Sequence, residues 1–525
     1  MTSGSGGLKR ELGLLDLTMS SLGAIIGSGW LFGALVAANL AGPAAIYSWI
    51  IGGIAVMLIG LVYAELGGML PQAGGVVRYP QYSHGTLVSF LMGWAAWIGY
   101  CTVPPIEAEA VTQYANHWLH GLFAKGSLTP TGILVSALLM VVFFLVNFYG
   151  VRLFATVNTK ITILKFLVPS LTLIVLFAVG IHASNFSSHG FAPSGSSGVL
   201  TAIATGGVVF AYLGFRQAVD MAGEAKNPQR DVPRAVIIAI IIGIVLYVLL
   251  QVAFIGAVQP AALAHGWAKL SFSAPFADVA GALGLGWLAS LLLADAVLSP
   301  GGTGIVYTAS TPRVSLALTK NGYWPSSFAI LNARGVPYVG LITSTVIGLL
   351  LLLPFPGWSK LVGIVSTAVV FTYIVGPVAA LVLRRTAPQA RRPLHLAGMS
   401  IIAPVAFVIA SLIIYWAGWP ITGDVLIAMA VGLPLYYYFH VKNKLEVSHA
   451  KAGIWLIAFL IFMIVVSYLG SFGGIKLLPY PWDMVVVAVG SLIAFYAGIA
   501  SGITTEEVKN IGDEQALLLS QASGN

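Results

Sequence analysis

Long apolar runs, separated by short polar turns, follow one another along the chain from Leu14 to Ile503. A helix that crosses roughly 30 Å of hydrocarbon needs about 20 apolar residues, and these runs reach that length. The pattern predicts an all-α integral membrane fold with about fourteen membrane-spanning helices. The predicted spans cover residues 14–42, 44–70, 86–115, 130–150, 161–182, 199–222, 235–258, 283–311, 336–354, 360–383, 399–418, 423–441, 453–470 and 484–502.

The composition agrees with a chain that is solvated by a lipid bilayer. Of the 525 residues, 58% are hydrophobic and 8% are charged, and the mean hydropathy is +0.93, which is more apolar than a soluble globular domain. The first apolar run is too long for the core of a cleavable signal, so we expect it to remain as span 1. The longest polar stretches are the tail after Ile503 and short loops such as 183–198, so no soluble domain is expected.

The distribution of lysine and arginine predicts the orientation. Nineteen of the 25 basic residues fall in loops that are cytoplasmic if the N-terminus is inside, and only Lys125, Lys269, Lys360 and Lys476 fall outside. Basic flanks are retained on the cytoplasmic side, so we predict a multi-pass protein of the cell membrane with both termini in the cytoplasm. The same bias accounts for the net charge of +8 without a nucleic-acid partner.

Motifs for soluble chemistry are missing from the sequence. It has no Ser/His/Asp arrangement, phosphate loop or nucleotide motif, which argues against an ATP-driven pump and an intramembrane hydrolase. We therefore predict that the protein is not an enzyme and has no catalytic residues. The single cysteine, Cys101, excludes an intramolecular disulfide, and histidines such as His84 show no metal-ligand spacing, so we expect them at the surface and expect no metal or cofactor.

Glycines interrupt two of the spans, at residues 26–30 in span 1 and 210–215 in span 6. Interrupted segments at corresponding places in two five-span halves are typical of inverted-repeat transporters with a site at the membrane midplane. We predict a ten-span transport core over residues 14–383. The other predicted segments are a cytoplasmic N-terminus at 1–13, four peripheral spans within 384–502 and a cytoplasmic tail at 503–525.

The break in span 1 has the groups to hold both ends of an α-amino acid. Gly27, Ser28 and Gly29 would free amides at the start of a half-helix, where the helix dipole favours a carboxylate. Carbonyl groups freed at the two breaks would suit a cationic amine, namely those of Ala24, Ile25, Ile26, Phe210, Ala211 and Leu213. The alternative is that the glycines of span 1, several of which are four residues apart, only form a small-residue packing face.

Several motifs resemble a known family. Residues 27–33 look like the permease signature of span 1, and 63–67 with 71–75 are similar to an element after span 2. The longest match, at 223–235, resembles the family's loop after span 6, and 313–325 looks like its loop after span 8. Over residues 10–440 the chain therefore resembles the amino acid/polyamine/organocation (APC) superfamily of permeases, most of all its aspartate/glutamate proton symporter branch. The resemblance implies a LeuT-type 5+5 inverted repeat with broken helices 1 and 6, and transport by alternating access.

Arg216 departs from the family pattern, because many relatives carry an acidic residue directly after the Gly-Phe pair that precedes it. A guanidinium near the midplane could hold the side-chain carboxylate of a substrate in a bidentate pair. The alternative is an internal ion pair with Glu107, Glu109 or Asp295 that serves only structure or gating.

Lys165 is the second basic residue within a predicted span. The resemblance implies that its ammonium stands where a sodium ion sits in sodium-coupled relatives, bridging spans 1, 5 and 8. A buried lysine can gain and lose a proton, so this residue would couple transport to protons and not to sodium. The alternative is that its long side chain reaches the cytoplasmic interface.

Three acidic residues lie within predicted spans: Glu107, Glu109 and Asp295. Glu107 and Asp295 are candidate proton carriers, and structural pairing is the alternative for each. Glu107 and Glu109 are two residues apart on a helix, so only one of them is expected to face the core. Aromatic residues next to the breaks could close over a bound side chain or pack in the core: Trp30, Phe210, Tyr212 and Phe215.

These patterns favour a secondary active transporter that moves an amino acid, preferably an acidic one, together with protons. An amino acid exchanger is the alternative within the same class. A non-transporting receptor or a channel built on the same fold is the alternative from another class. The oligomeric state is left open.

Overall fold

A computed structural model describes Arg10 and residues 12–72, 74–124, 126–149, 151–353 and 358–512. Most of the predicted N-terminal segment 1–13, part of the predicted tail 503–525, and Lys125 lie outside these described residues. The helices are α1 Leu14–Ile25, α2 Ser28–Ala41, α3 Ala45–Met69, α4 Gly75–His84, α5 Thr86–Ala115, α6 Pro130–Phe148, α7 Val151–Val179, α8 Gly195–Thr205, α9 Val208–Tyr212, α10 Gln217–Asp220, α11 Pro228–Ala257, α12 Pro275–Ala282, α13 Gly286–Lys320, α14 Tyr338–Leu351, α15 Trp358–Tyr373, α16 Val375–Thr386, α17 Met399–Trp416, α18 Ile421–Ala430, α19 Gly432–Lys442, α20 Val447–Lys451, α21 Ile454–Leu469, α22 Trp482–Ser501 and α23 Glu506–Lys509. A two-stranded antiparallel hairpin joins β1 Phe123–Ala124 to β2 Ser127–Leu128.

The prediction of an all-helical membrane fold is confirmed. The described residues contain 11 helices that are long and apolar enough to cross a membrane, or 12 if a bent pair is counted as one span. One of them, Ser28–Met69, has 42 residues, about twice the length that a crossing needs, and a 3-10 turn at Gly42–Ala44 divides it. Another predicted span holds only the 14-residue helix α14. Helices lie at all fourteen predicted positions, but the number of crossings and the inverted repeat stay predictions.

Span 1 is broken where the glycines predict it. Helix α1 ends at Ile25 and α2 begins at Ser28, and Gly27 between them has a backbone conformation that is not helical. A Cβ atom on Gly27 would lie 2.7 Å from the hydroxyl of Thr303 and 2.9 Å from a carboxylate oxygen of Glu107. Glycine is therefore needed at this position because α5 and α13 approach the break so closely.

The main break in span 6 lies earlier than the prediction of 210–215. Helix α8 ends at Thr205, α9 begins at Val208, and the two segments are bent by 44°. Gly207 between them has φ +89°, a left-handed conformation that glycine adopts at no steric cost. The predicted segment itself contains α9 and then a 3-10 turn at Leu213–Arg216, so the backbone changes its helical form there without a second sharp bend.

The breaks lie at the centre of the helix packing. Helix α5 packs extensively against α13, and α3 packs extensively against α11. Helix α1 lies against α7, α11, α13 and the 3-10 turn of span 6. Helix α22 packs against α17 and α21, whereas α17 also packs against α3, α8, α15 and α16 of the predicted core. This arrangement is consistent with a central core and a peripheral set of helices, although the predicted domain boundary at 383 is still a prediction.

Residues of the family-like motifs form buried or half-buried ion pairs near the ends of the spans. Arg384 binds both carboxylate oxygens of Glu65, at 2.9 and 2.7 Å. Arg313 donates to Glu224 at 3.0 Å. Such bidentate and charge-assisted bonds fix one helix against another. His84, which the sequence places at the surface, is instead buried, and its Nε2 lies 2.8 Å from the carbonyl of Gly498.

The segment before α1 is hydrogen-bonded to the loop after span 6. The amide of Leu12 donates to the carbonyl of Glu224 at 3.0 Å, and the amide of Lys226 donates to the carbonyl of Leu12 at 2.8 Å. Further along α1, the hydroxyl of Ser21 donates to the carbonyl of Phe215 at 3.2 Å. Span 1 is therefore joined to span 6 and its following loop, on one side of the breaks, by two backbone hydrogen bonds and by the hydroxyl of Ser21.

Candidate functional site

The ammonium of Lys165 lies at the carbonyl end of α1, the first half of the broken span 1. Its side chain is only 1% exposed, and its ammonium donates to the carbonyl of Gly23 and, at 2.7 Å, to the hydroxyl of Thr303. The ammonium thus links α7 to α1 and α13, as the sequence predicts for spans 5, 1 and 8. A cation is favoured here because the carbonyl end of a helix carries partial negative charge. The alternative in which Lys165 reaches the interface is wrong for this structure.

The carboxylate of Glu107 lies at the amide end of α2, the second half of the broken span 1. Its Oε2 accepts a hydrogen bond from the amide of Ser28 at 2.9 Å, and the side chain is fully buried. The first turn of a helix attracts an anion through its free amides and its dipole. Ser28 is predicted to offer its amide to a substrate carboxylate, but in this structure a carboxylate of the chain occupies it. The hydroxyl of Ser28 is also engaged, since it accepts from Nε1 of Trp358 at 2.7 Å.

The carbonyl groups predicted at the span 1 break differ in their availability. The carbonyl of Ile25 accepts from the hydroxyl of Tyr247 at 2.7 Å, and that of Ile26 accepts weakly from Thr303 at 3.4 Å. Among the described residues, none outside α1 donates to the carbonyl of Ala24, and the amides of Gly29 and Trp30 have no acceptor outside α2. These three groups are the ones that the break leaves for a ligand.

Replacing Tyr247 with phenylalanine should lower the free energy of unfolding by about 0.5 to 1.5 kcal/mol, because the buried carbonyl of Ile25 loses one of its two donors and keeps only the amide of Gly27. The measurement is the melting temperature of the purified protein in detergent. Tyr496→Phe is the matched control, since Tyr496 is exposed on α22. An unchanged melting temperature for Tyr247→Phe would show that this hydrogen bond does not stabilise the break.

The predicted residues of span 6 divide into two groups. Phe210 and Ala211 lie beside Gly29, where an added Cβ atom would be 3.0 Å from the side chain of Ala211 and 3.4 Å from the ring of Phe210. These two residues therefore bring the two broken spans together. Tyr212 points away from the break, because its hydroxyl donates to the carbonyl of Trp49 at 3.2 Å and its ring packs on Trp49.

Two of the three carbonyl groups predicted in span 6, those of Phe210 and Leu213, already accept hydrogen bonds from the chain. The carbonyl of Phe210 accepts from the amide of Leu213. The carbonyl of Leu213 in turn accepts from the hydroxyl of Tyr373 at 3.4 Å. These two carbonyls are thus less available to an amine than the sequence predicts.

Arg216 pairs with Asp220, a carboxylate that is not among its predicted partners. Its Nε donates to Asp220 at 3.1 Å and one terminal nitrogen donates to the hydroxyl of Thr372 at 3.0 Å. The guanidinium lies over the ring of Tyr100, 4.6 Å from the centroid. The predicted alternative partners Glu107, Glu109 and Asp295 are wrong. Asp220 follows Arg216 by four residues, a spacing that places two side chains on the same helix face and that was visible in the sequence.

The other two acidic residues have few polar contacts. Asp295 has Ser299, Lys165 and Trp30 as its polar neighbours, although neither of its oxygens is in hydrogen-bonding geometry with a described residue. Both oxygens of Glu109 likewise lack a hydrogen-bond partner among the described residues. Glu107 and Glu109 are both buried, so the expectation that only one faces the core is wrong. Only Glu107 reaches the break.

Two residues of the site, Thr303 and Trp358, were not predicted from the sequence. Each supplies a single polar atom from a distant span, and a lone threonine or tryptophan in an apolar run carries no recognisable signal. Among the residues that the structure describes, no cluster of three His, Cys, Asp or Glu side chains could hold a metal ion. The site is therefore built from backbone groups and a few charged side chains.

The protein is a multi-pass membrane protein whose buried polar groups meet at two broken helices. This arrangement is typical of the solute permeases. Residues 12–441 match the family model described as amino acid permease, and the chain belongs to that family. It is similar to the glutamate/serine transporter AimA of Bacillus subtilis (strain 168), with 46% identity over 529 residues and 98% of each chain covered.

Two further relatives come from the same organism. The chain is 42% identical over 511 residues to an aspartate-proton symporter, and this alignment covers 95% of this chain and 98% of the relative. It is 28% identical over 459 residues to the branched-chain amino acid permease BcaP, with 84% of this chain and 96% of the relative covered. The predicted membership of the APC superfamily is confirmed. The protein is an amino acid transporter, not an enzyme, and its substrate is a small molecule.

Proposed function

We propose that the protein is a proton-coupled symporter that prefers acidic amino acids and works by alternating access. The observation that carries this proposal is that titratable side chains occupy both charge-binding ends of the span 1 break. Lys165 binds the carbonyl end of α1, and Glu107 binds the amide end of α2. The similarity to an aspartate-proton symporter and to a glutamate/serine transporter supports the same function.

Protonation of Glu107 would couple the proton to the substrate. A proton removes the charge of the carboxylate and weakens its bond to the amide of Ser28, since charge-assisted hydrogen bonds are the stronger ones. The α-carboxylate of the substrate then replaces Glu107 at the first turn of α2, where the amides of Gly29 and Trp30 add further donors. The proton and the amino acid therefore enter the break together, which is symport.

Lys165 and Asp295 complete this mechanism. The charged ammonium of Lys165 holds α1 against α13 through Gly23 and Thr303. Transfer of its proton to a neighbour such as Asp295 would weaken these bonds and let α1 move. The carbonyl of Ala24 is the acceptor left for the amine of the substrate. No sodium ion is required, because the ammonium already occupies the space between α1 and α13.

Uptake into liposomes tests the function. The purified protein should accumulate labelled glutamate or aspartate in sodium-free buffer when the pH outside is lower than inside. For one coupled proton, a gradient of one pH unit supplies about 1.4 kcal/mol, or roughly tenfold accumulation. Uptake that ignores the gradient would refute coupling. Uptake only into liposomes that are preloaded with amino acid would identify an exchanger, and binding without uptake would identify a receptor.

A further inference from the structure

Arg216, Asp220 and Tyr100 form a buried cluster that the coupling mechanism does not use. Arg216 is 1% exposed and Asp220 is 2% exposed. The hydroxyl of Tyr100 donates to Oδ2 of Asp220 at 2.6 Å, and this oxygen also accepts from Nε of Arg216. The hydroxyl of Thr372 donates to the carbonyl of Val369 at 2.6 Å, so it acts as an acceptor for the arginine.

The pair between Arg216 and Asp220 is incomplete. One terminal nitrogen of Arg216 and Oδ1 of Asp220 have no hydrogen-bond partner among the described residues, and neither does the side-chain amide nitrogen of Gln217. An arginine and a carboxylate that serve only structure gain most from two parallel bonds. Buried polar atoms without partners are rare and costly in folded proteins. Three of them within two turns of span 6 indicate a place that a ligand completes.

The cluster is within reach of an acidic amino acid bound at the break. Tyr100 precedes Glu107 by seven residues on α5, which is about 10 Å along the helix axis. Two charge-assisted hydrogen bonds of about 2.8 Å each, together with a carbon chain of four or five atoms, bridge a distance of this size. An amino acid whose α-carboxylate lies at the first turn of α2 can therefore present its second carboxylate to Arg216.

We propose that Arg216 exchanges Asp220 for the side-chain carboxylate of an acidic substrate, so that Asp220 is an internal competitor that sets the preference between acidic and neutral amino acids. The exchange rests on the proposed function, because it needs an acidic amino acid in the break. With the pair closed, the guanidinium is neutralised and the site accepts a neutral side chain. With the pair open, the free terminal nitrogen and Nε of Arg216 together give the bidentate geometry that a carboxylate prefers.

The selectivity of two variants tests this proposal. The readout is the ratio of glutamate uptake to serine uptake at equal concentrations below saturation. Asp220→Asn removes the competing charge and should raise this ratio by about tenfold, whereas Arg216→Gln should lower it by about thirtyfold or more, as expected for the loss of one member of a buried charge pair. Glu224→Gln is the matched control, since it breaks another arginine–carboxylate pair, and it should leave the ratio unchanged.

A merely structural pair gives a different result. Asp220→Asn and Arg216→Gln would then reduce the uptake of glutamate and serine in the same proportion, and the proposal would be overturned. If Arg216→Gln does not fold, Arg216→Lys keeps the charge but removes the planar fork, and it should still lower the ratio. Failure of the unmodified protein to take up glutamate, with serine uptake intact, would instead refute the proposed preference for acidic substrates itself.

Discussion

Replacing Lys165 with alanine should abolish the stimulation of uptake by an inward proton gradient. The ammonium is the donor that joins Gly23 on α1 to Thr303 on α13, and alanine offers neither charge nor donor. At position 165 the alanine variant has no titratable group between α1 and α13, so the contact between these two helices no longer depends on protonation. Accumulation of glutamate at one pH unit should fall from about tenfold to about onefold. The measurement is the accumulation ratio in liposomes with and without the gradient.

Lys160→Ala is the matched control for this experiment. Lys160 lies on the same helix, α7, but its side chain is exposed, so its loss removes an equal charge without touching the break. The gradient should stimulate this variant as it stimulates the unmodified protein. If Lys165→Ala keeps its response to the gradient, the ammonium has a purely structural role and the proton is carried elsewhere.

Glu107→Gln should uncouple the substrate from the proton in a second way. Glutamine keeps the shape of the side chain and an oxygen that can accept from the amide of Ser28, but it cannot be protonated in the pH range of the experiment. Net uptake driven by one pH unit should therefore fall by about tenfold. Uptake is measured at several external pH values, and the rate for the variant should no longer rise as the external pH falls.

Glu109→Gln provides the comparison, because Glu109 is buried on the same helix two residues away but makes no hydrogen bond to the described residues of the break. A rate that still rises at low external pH is expected for this variant. The opposite pattern, with the response lost in Glu109→Gln and kept in Glu107→Gln, would move the proton site to Glu109. Loss of the response in both variants would mean that the two carboxyl groups act together.

The fold is easier to predict than the site, because each membrane-spanning helix is determined by the apolar residues of its own segment. A run of about 20 apolar residues can satisfy its backbone in lipid only as a helix, so helices appear at every predicted position. The prediction places the break in span 6 too late, because it relies on Gly214 and its aromatic neighbours. The adjacent glycines at 206 and 207, with the left-handed backbone at Gly207, are the stronger signal for a bend.

The sequence predicts the charged residues of the site and the spans that Lys165 joins, but it does not predict the residues that Glu107 and Arg216 contact. Lys165, Glu107 and Arg216 stand out in the sequence because a charge inside the membrane is costly and needs a reason. Their partners depend on which helices pack together. The bond from Ser28 to Glu107 joins residues 79 positions apart, and no periodic pattern in either span predicts it. Asp220 is the exception, because it follows Arg216 by four residues and a helix places side chains with this spacing next to each other.

The hydrogen bonds that join the start of span 1 to span 6 and its following loop bear on how this transporter moves. Leu12 is bonded to both Glu224 and Lys226, and Ser21 is bonded to Phe215. If these spans move during transport, we therefore expect the α1 half of span 1 to move together with the end of span 6. A tag or a truncation placed directly before Leu12 would disturb the hydrogen bonds of Leu12 to Glu224 and Lys226. We therefore expect it to change the rate of turnover more than the affinity for substrate.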